Sequence, residues 1–217
     1  MAGLAFRAAT AADKVAAMQL INAAYMAEAF IKMPFAEERI SEETYDACIA
    51  NASEVTELLL AVDSESGAIQ GTAMLNPPEG SAAGHGEGSA AAHLGFVAVD
   101  PALQSPPPAG PPGPAQAPHS IGPCSRCPSA LALPGRGIAK QIIDAVEKRA
   151  LAMGFTSLEF SYISPMQHLE TFYRGLGYEL TGVVDTPEGD GWLKPEWRGK
   201  VTFPHMAKEL RKAEADL

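Results

Sequence analysis

A glycine-bearing turn that opens an amphipathic helix is the feature that most constrains how this chain can fold. Residues 135–140 read Gly-Arg-Gly-Ile-Ala-Lys, and apolar side chains then recur at helical spacing as far as Gly154. The predicted helix spans 138–153, and its buried face comprises Ile138, Ile142, Ala145, Val146 and Met153. A helix start exposes N–H groups and the positive end of the helix dipole. The turn therefore predicts an anion site, typically for phosphate.

The rest of the chain alternates predicted strands and helices. Periodicity and turn residues predict strands over 4–8, 58–62, 69–75, 93–99, 156–162, 178–184 and 201–208. A first helix over 11–27 places Val15, Met18, Ile21 and Tyr25 on one face, and a second begins with Ser41 as N-cap. Ser164, Pro165 and Gln167 form a capping-box pattern that predicts a last helix from there to about Leu176.

Two motifs give this order of elements a likeness to a known family. If residues 105–134 are set aside, Gln104 is followed by Gly-Arg-Gly-Ile-Ala, and this resembles the acetyl-CoA signature of the GNAT superfamily of N-acetyltransferases. Gln104, Gly137 and Ala139 hold its three defining positions, and Tyr173 with Gly177-Tyr178 is similar to its C-terminal signature. The resemblance implies an α/β (α+β) fold. One domain over 1–217 would contain a mixed, mostly antiparallel sheet with helices on both faces.

The resemblance also implies a reaction and a site. Acetyl-CoA would donate its acetyl group to a primary amine by direct attack, with Tyr173 as general acid. Backbone groups of Val97, Ala98 and Val99 would hold the pantetheine arm and the thioester. The phosphates would be bound by Gln104, Gly135, Arg136, Gly137, Ile138, Ala139 and Lys140. Tyr25, Phe30 and Tyr162 would line the acceptor site.

Several points stay open at this level. Glu28, His93 and Glu159 are candidate general bases, and water alone is an alternative to all three. The acceptor is a small amine, an amino acid or a peptide, and Tyr173 could serve packing alone. A non-catalytic acyl-CoA-binding or regulatory domain of the same fold is the alternative function. A Rossmann fold is disfavoured because Lys140 stands where a third glycine belongs. A P-loop is disfavoured because the turn lacks the required Gly-Lys-Ser/Thr sequence.

Residues 105–134 differ in composition from the rest of the chain. These 30 residues hold 10 of the 18 prolines, and Arg126 is their only charged residue. Such a segment cannot form a helix or bury a core, so it predicts an exposed, disordered loop. It is either a genuine insertion or the translation of an unspliced intron. Cys124 and Cys127 form a C-x-x-C pair within it, but no second ligand pair completes a zinc site, and we expect no metal.

Composition limits the partners of the chain. A net charge of −10 and a pI of about 4.9 argue against a nucleic-acid-binding surface. No apolar run reaches the length of a membrane span, and Met1 to Arg7 lacks the pattern of a signal peptide. Three cysteines make no disulfide framework. We therefore expect a cytoplasmic monomer or homodimer that acts on a small-molecule or peptide amine.

Overall fold

The computed structural model describes residues 3–25, 39–50, 57–76, 91–103, 137–186 and 193–210. These ranges contain the strands β1 (Leu4–Ala8), β2 (Glu57–Asp63), β3 (Ile69–Asn76), β4 (Ala91–Val99), β5 (Ser157–Ser161), β6 (Glu179–Asp185) and β7 (Phe203–Glu209). The helices are α1 (Lys14–Tyr25), α2 (Glu42–Ala50), α3 (Ile138–Ala152) and α4 (Gln167–Arg174). Each of the seven predicted strands is present, and β4 begins at Ala91 rather than at residue 93.

The strands form one mixed sheet. Their order is β1-β2-β3-β4-β5-β7-β6, and every neighbouring pair is antiparallel except β4 and β5. Helices cover both faces, so the predicted fold class is confirmed. The order also shows that β4 and β5 meet at the middle of the sheet, where the chain connects them through α3.

The run Leu58-Leu59-Leu60 in β2 explains how one sheet acquires two cores. Side chains alternate between the faces of a strand, and all seven residues of β2 are buried. Leu59 packs into the cluster formed with α3, whereas Leu58 and Leu60 pack into the cluster formed with α1 and α2. A strand that is apolar on both faces therefore belongs in the centre of a three-layer structure.

Glycine sets how closely α3 approaches the sheet. A Cβ atom at Gly71 of β3 would lie 2.5 Å from Cδ1 of Ile142 and 2.9 Å from the carbonyl oxygen of Ala98. At its other end α3 stops at Gly154, whose φ is 93°. The N–H groups of Gly154 and Phe155 donate to the carbonyls of Leu151 and Ala150, which is a Schellman cap. The predicted stop at Gly154 is thereby confirmed.

Two details of the sequence prediction are wrong. Val15 is 69% exposed, and the buried face of α1 is made instead of Ala17, Leu20, Ile21 and Ala24. Helix α4 begins at Gln167, so Ser164 does not cap it. The Ser164 hydroxyl instead accepts the N–H of Thr202 at 3.0 Å, because the segment that leads into β7 lies beside it.

Some predictions fall outside the described residues. They include the loop 105–134 with its two cysteines, and the end of the first helix beyond Tyr25. Among the described helices, none combines the length and the apolar character that a membrane crossing requires.

Asp13 joins the start of α1 to the edge strand β1, and its charge makes this junction sensitive to pH. Arg7 donates two hydrogen bonds of 2.7 Å to its carboxylate, and the N–H of Thr10 donates a third at 2.9 Å. The Arg7 guanidinium, followed by Thr10, holds the pKa of Asp13 well below its usual range. The stabilisation is therefore complete above the unfolded-state pKa of about 3.9 and is lost as pH falls through the lowered folded-state pKa.

We expect Asp13→Asn to lower the free energy of unfolding by about 1–2 kcal/mol at pH 7. The difference from wild type should stay constant down to about pH 4 and shrink below it. Urea denaturation over a pH series measures both quantities. Asp144→Asn, which removes an exposed i,i+4 ion pair on α3, is the control and should change stability by less than about 0.5 kcal/mol. A difference that grows on acidification would contradict this account.

Candidate functional site

Strands β4 and β5 separate after a short parallel ladder. Ala91, Ala92 and His93 lie opposite Ser157, Leu158 and Glu159, and the pairing ends there. Beyond His93, the described residues give β4 a neighbour on its β3 side only. We call the space between residues 94–99 of β4 and residues 160–161 of β5 the opening.

A β-bulge at Gly95 accompanies this separation. Met74 lies opposite Phe96 and Leu75 opposite Leu94, so the pairing skips Gly95. A Cβ atom at Gly95 would lie 2.9 Å from the side-chain nitrogen of Asn76, so a larger residue there would have to displace that amide. The extra residue bends the strand and shifts its alternation. After the bulge, Val97 and Val99 instead of Phe96 and Ala98 pack into the α3 cluster.

The register of the ladders shows which backbone groups face the opening. The N–H of Asp100 donates to Gln70 at 3.0 Å, and hydrogen-bonded pairs alternate along an antiparallel ladder. The backbone of Ala98 is therefore paired with β3, whereas the N–H and C=O groups of Val97 and Val99 point towards the opening. On the far side, the N–H of Tyr162 donates to Pro204 of the β7 segment, so the backbone of the preceding residue, Ser161, also faces the opening.

The N-terminus of α3 lies at the same end of β4. Ile138 and Ile142, from its first turns, pack beside Gly71 and the carbonyl of Ala98. Gly137 is the N-cap with a φ of 65°, and as a glycine it has no side chain with which to cap the helix. The first intrahelical hydrogen bond runs from the N–H of Gln141 to the carbonyl of Gly137. The N–H groups of Ile138, Ala139 and Lys140 precede that bond and form the positive end of the helix dipole.

Tyr173 of α4 packs against the last turn of its own helix and against β5. Its ring centroid lies 4.1 Å from that of Phe160 and 5.7 Å from that of Tyr178. The N–H of Tyr178 donates to the carbonyl of Tyr173, and Gly177, with a φ of 89°, completes a second Schellman cap. The Tyr-to-Gly-Tyr motif is thus a helix cap that fixes the backbone of Tyr173. Burial, and next the neighbouring Tyr25, raise the pKa of the Tyr173 phenol.

Tyr25 reaches the opening from the opposite face of the sheet. Its hydroxyl donates a 3.1 Å hydrogen bond to the carbonyl oxygen of Val97. The guanidinium of Arg39 lies over the Tyr25 ring, with its Cζ 5.2 Å from the ring centroid. Besides burial, Tyr25 contributes to the raised pKa of Tyr173, so the two phenols are close enough to interact electrostatically.

Tyr162 takes a different position. Its hydroxyl donates to Glu170 of α4 at 2.8 Å, and burial together with this bond raises its pKa to about 12. Its ring lies in the α3 cluster, whereas Tyr25 packs in the α1 cluster. The structure therefore brings Tyr25, Val97 and Tyr173 together, and places Tyr162 next to α4. The acceptor-site role of Tyr162 stays a prediction.

Of the other predicted site residues, Phe30, Gln104, Gly135 and Arg136 lie outside the described part of the chain, as does Glu28. His93 and Glu159 stand opposite each other in the last pair of the β4–β5 ladder, at the closed end of the opening. Tyr178 is buried, as expected for a core residue. Among the described residues no group of His, Cys, Asp and Glu could hold a metal ion.

Two features of this region were not predicted from the sequence. The bulge could have been suspected, because a glycine inside a strand pattern often marks one. Arg39 carried no signal, because nothing in the sequence places it on the ring of Tyr25, which lies in another helix.

The sequence matches no protein-family model and no curated protein. Solved structures do match it over nearly its whole length. A GCN5-related N-acetyltransferase from Kribbella flavida has 18% identity and a TM-score of 0.61, and covers 95% of this chain and 98% of its own. A ribosomal-protein-alanine N-acetyltransferase from Brucella melitensis has 18% identity and a TM-score of 0.62, with 95% and 100% covered. A GNAT superfamily phosphinothricin acetyltransferase from Sinorhizobium meliloti, in complex with AcCoA, has 16% identity, a TM-score of 0.57, and 99% and 92% covered.

These comparisons define the class of fold. The chain has the α/β fold of the GNAT acetyltransferases, with the seven-stranded mixed sheet described above, so the resemblance inferred from its two motifs is confirmed for the fold. The similar structures act on acceptors as different as a ribosomal protein and phosphinothricin. The fold therefore leaves the acceptor undetermined.

Proposed function

We propose that this protein is an N-acetyltransferase that transfers the acetyl group of acetyl-CoA to a primary amine. The observation that carries the proposal is the opening between β4 and β5, with backbone groups of Val97 and Val99 directed into it. An extended chain of alternating polar and apolar groups, such as pantetheine, can occupy the place of a missing strand. A GNAT structure of the same fold contains AcCoA.

The residues present fit such a molecule at both of its ends. The N–H groups of Ile138, Ala139 and Lys140 lie at the start of α3, after a glycine N-cap, where a pyrophosphate would be stabilised by the helix dipole. The ammonium group of Lys140 adds a charge of the right sign. At the other end, the N–H of Val97 would donate to the thioester carbonyl and polarise it.

The chain's own groups would then handle the protons. Acetyl-CoA supplies an activated acetyl group; the amine nitrogen forms a bond to its carbonyl carbon, and the carbon–sulfur bond breaks. Tyr173, whose raised pKa keeps the phenol protonated, would donate to the departing sulfur. Because a thiol has a pKa of about 8.5, this donation helps only while negative charge is developing on sulfur. His93 and Glu159, at the closed end of the opening, remain candidates for taking the proton of the amine.

The decisive experiment measures free thiol released from acetyl-CoA in the presence of a broad panel of amines, amino acids and peptides. We expect amine-dependent release with at least one class, accompanied by an acetylated product in mass spectra. Tight acetyl-CoA binding without release for any acceptor would instead support the non-catalytic acyl-CoA-binding alternative. We further expect the protein to act in the cytoplasm, as a monomer or homodimer.

The phosphate site can be tested at Lys140. Lys140→Glu places a like charge beside the phosphates at the start of α3, so acetyl-CoA should bind at least ~10-fold more weakly, which corresponds to about 1.4 kcal/mol. Calorimetry measures the affinity. Lys148→Glu, on the same helix but two turns further on, is the matched control and should change it less than twofold. Equal effects of the two variants would refute this placement of the phosphates.

The role of Tyr173 can be separated from packing. Tyr173→Phe keeps the ring between Phe160 and Tyr178 but removes the proton donor, so turnover should fall by roughly 10²-fold while stability stays within about 1 kcal/mol. Tyr178→Phe is the control, because the Tyr178 hydroxyl donates to Glu147 at 3.0 Å on the α3 side. If Tyr173→Phe retains full turnover, Tyr173 is structural.

A further inference from the structure

The guanidinium of Arg39 lies near the opening, with the ring of Tyr25 between them. Its guanidinium lies over the ring of Tyr25, and the hydroxyl of that same ring donates to the carbonyl of Val97. Val97 is the residue whose N–H would meet the thioester. Arg39 therefore stands on the α1 face of the sheet, on the far side of the Tyr25 ring from the Val97 carbonyl.

The fold fixes the backbone beside Arg39. The next residue, Ile40, is 2% exposed, and its N–H and C=O groups bond to the side-chain amide of Asn22 in α1 at 3.0 and 3.1 Å. Ser41 then caps α2, since its hydroxyl accepts the N–H of Thr44 at 3.1 Å. Because α1 and α2 fix the backbone of the two residues that follow it, Arg39 meets the Tyr25 ring in a defined position.

Within the described part of the chain, no carboxylate forms an ion pair with the guanidinium of Arg39. Acidic residues outnumber Lys and Arg by 26 to 16. Ion pairs with carboxylates engage many of the described cations, among them Arg7, Lys14, Lys148, Arg149, Arg174 and Lys208. Within the described ranges Arg39 contacts only the face of an aromatic ring, and such a contact consumes none of its five N–H donors.

We propose that Arg39 binds a carboxylate of the acceptor, so that the acceptor is an amine of the amino-acid class. This inference rests on the proposed acetyl transfer and specifies its substrate. A guanidinium matches a carboxylate with two parallel hydrogen bonds. Glu159 lies on the same face of the sheet, since Leu158 and Phe160 on either side of it pack into the α3 cluster. The two side chains thus offer opposite charges to a molecule that carries both an ammonium and a carboxylate group.

The test compares each acceptor with its decarboxylated counterpart: leucine with 3-methylbutylamine, histidine with histamine, and tyrosine with tyramine. We expect wild type to favour at least one carboxylate-bearing member by 10-fold or more in kcat/KM. Arg39→Gln should raise the KM for that acceptor about 10-fold or more and leave its amine counterpart and acetyl-CoA unchanged. Arg39→Lys, which keeps the charge but not the paired donors, should fall between. Lys200→Gln, an exposed cation in the segment before β7, is the control.

Each other result overturns the inference. Preference for the decarboxylated amines would do so, as would an Arg39→Gln effect of equal size on both members of a pair; in either case acetyl transfer itself would still stand. If thiol is released with neither class, the proposed function fails on its own. Calorimetry with the same amino acids in the presence of CoA then tests the role of Arg39 separately. If no amino acid binds to wild type more tightly than to the Arg39→Gln variant, that role is refuted.

Discussion

Strand β4 is flanked by two neighbours but keeps full pairing with only one of them. The bulge at Gly95 bends it, and its ladder with β5 ends at His93, so the backbone of Val97 and Val99 turns towards a space that none of the described strands fills. In a protein interior, backbone N–H and C=O groups need partners. This constraint shapes the site, because the backbone of Val97, whose carbonyl accepts the Tyr25 hydroxyl, decides which polar groups a molecule in the opening would meet.

The opening is also where the two layers of helices meet. Elsewhere the sheet separates the α1 cluster from the α3 cluster, but between β4 and β5 a side chain from one layer can reach the other. Tyr25 comes from α1 and binds the carbonyl of Val97, and Tyr173 comes from α4 on the other side. The reacting groups would therefore be positioned by both cores together. A packing defect in either core would therefore displace groups that line the opening.

Sequence reasoning identified most of the scaffold, and its errors have physical causes. The continuous apolar run in β2, the alternation in β5 and the apolar periodicity in α3 identified elements whose local pattern agrees with their final burial. Val15 was misplaced because small alanines, which carry little hydrophobic signal, form the face of α1 that lies closest to the sheet. Ser164 was taken for a cap because its competing partner, Thr202, is remote in sequence. Arg39 and the partner of Tyr162 were invisible for the same reason, since both contacts join different elements.

The short ladder between β4 and β5 divides the sheet into two half-sheets, one of four strands and one of three, joined edge to edge by three residue pairs. Helix α3 lies across this seam and contacts both halves. The two half-sheets are therefore joined by this short ladder and by the packing of α3 against both of them. A ligand in the opening would contact both half-sheets, and anything that binds only the folded state adds to its stability. The resistance of the protein to unfolding would then rise with the concentration of that ligand.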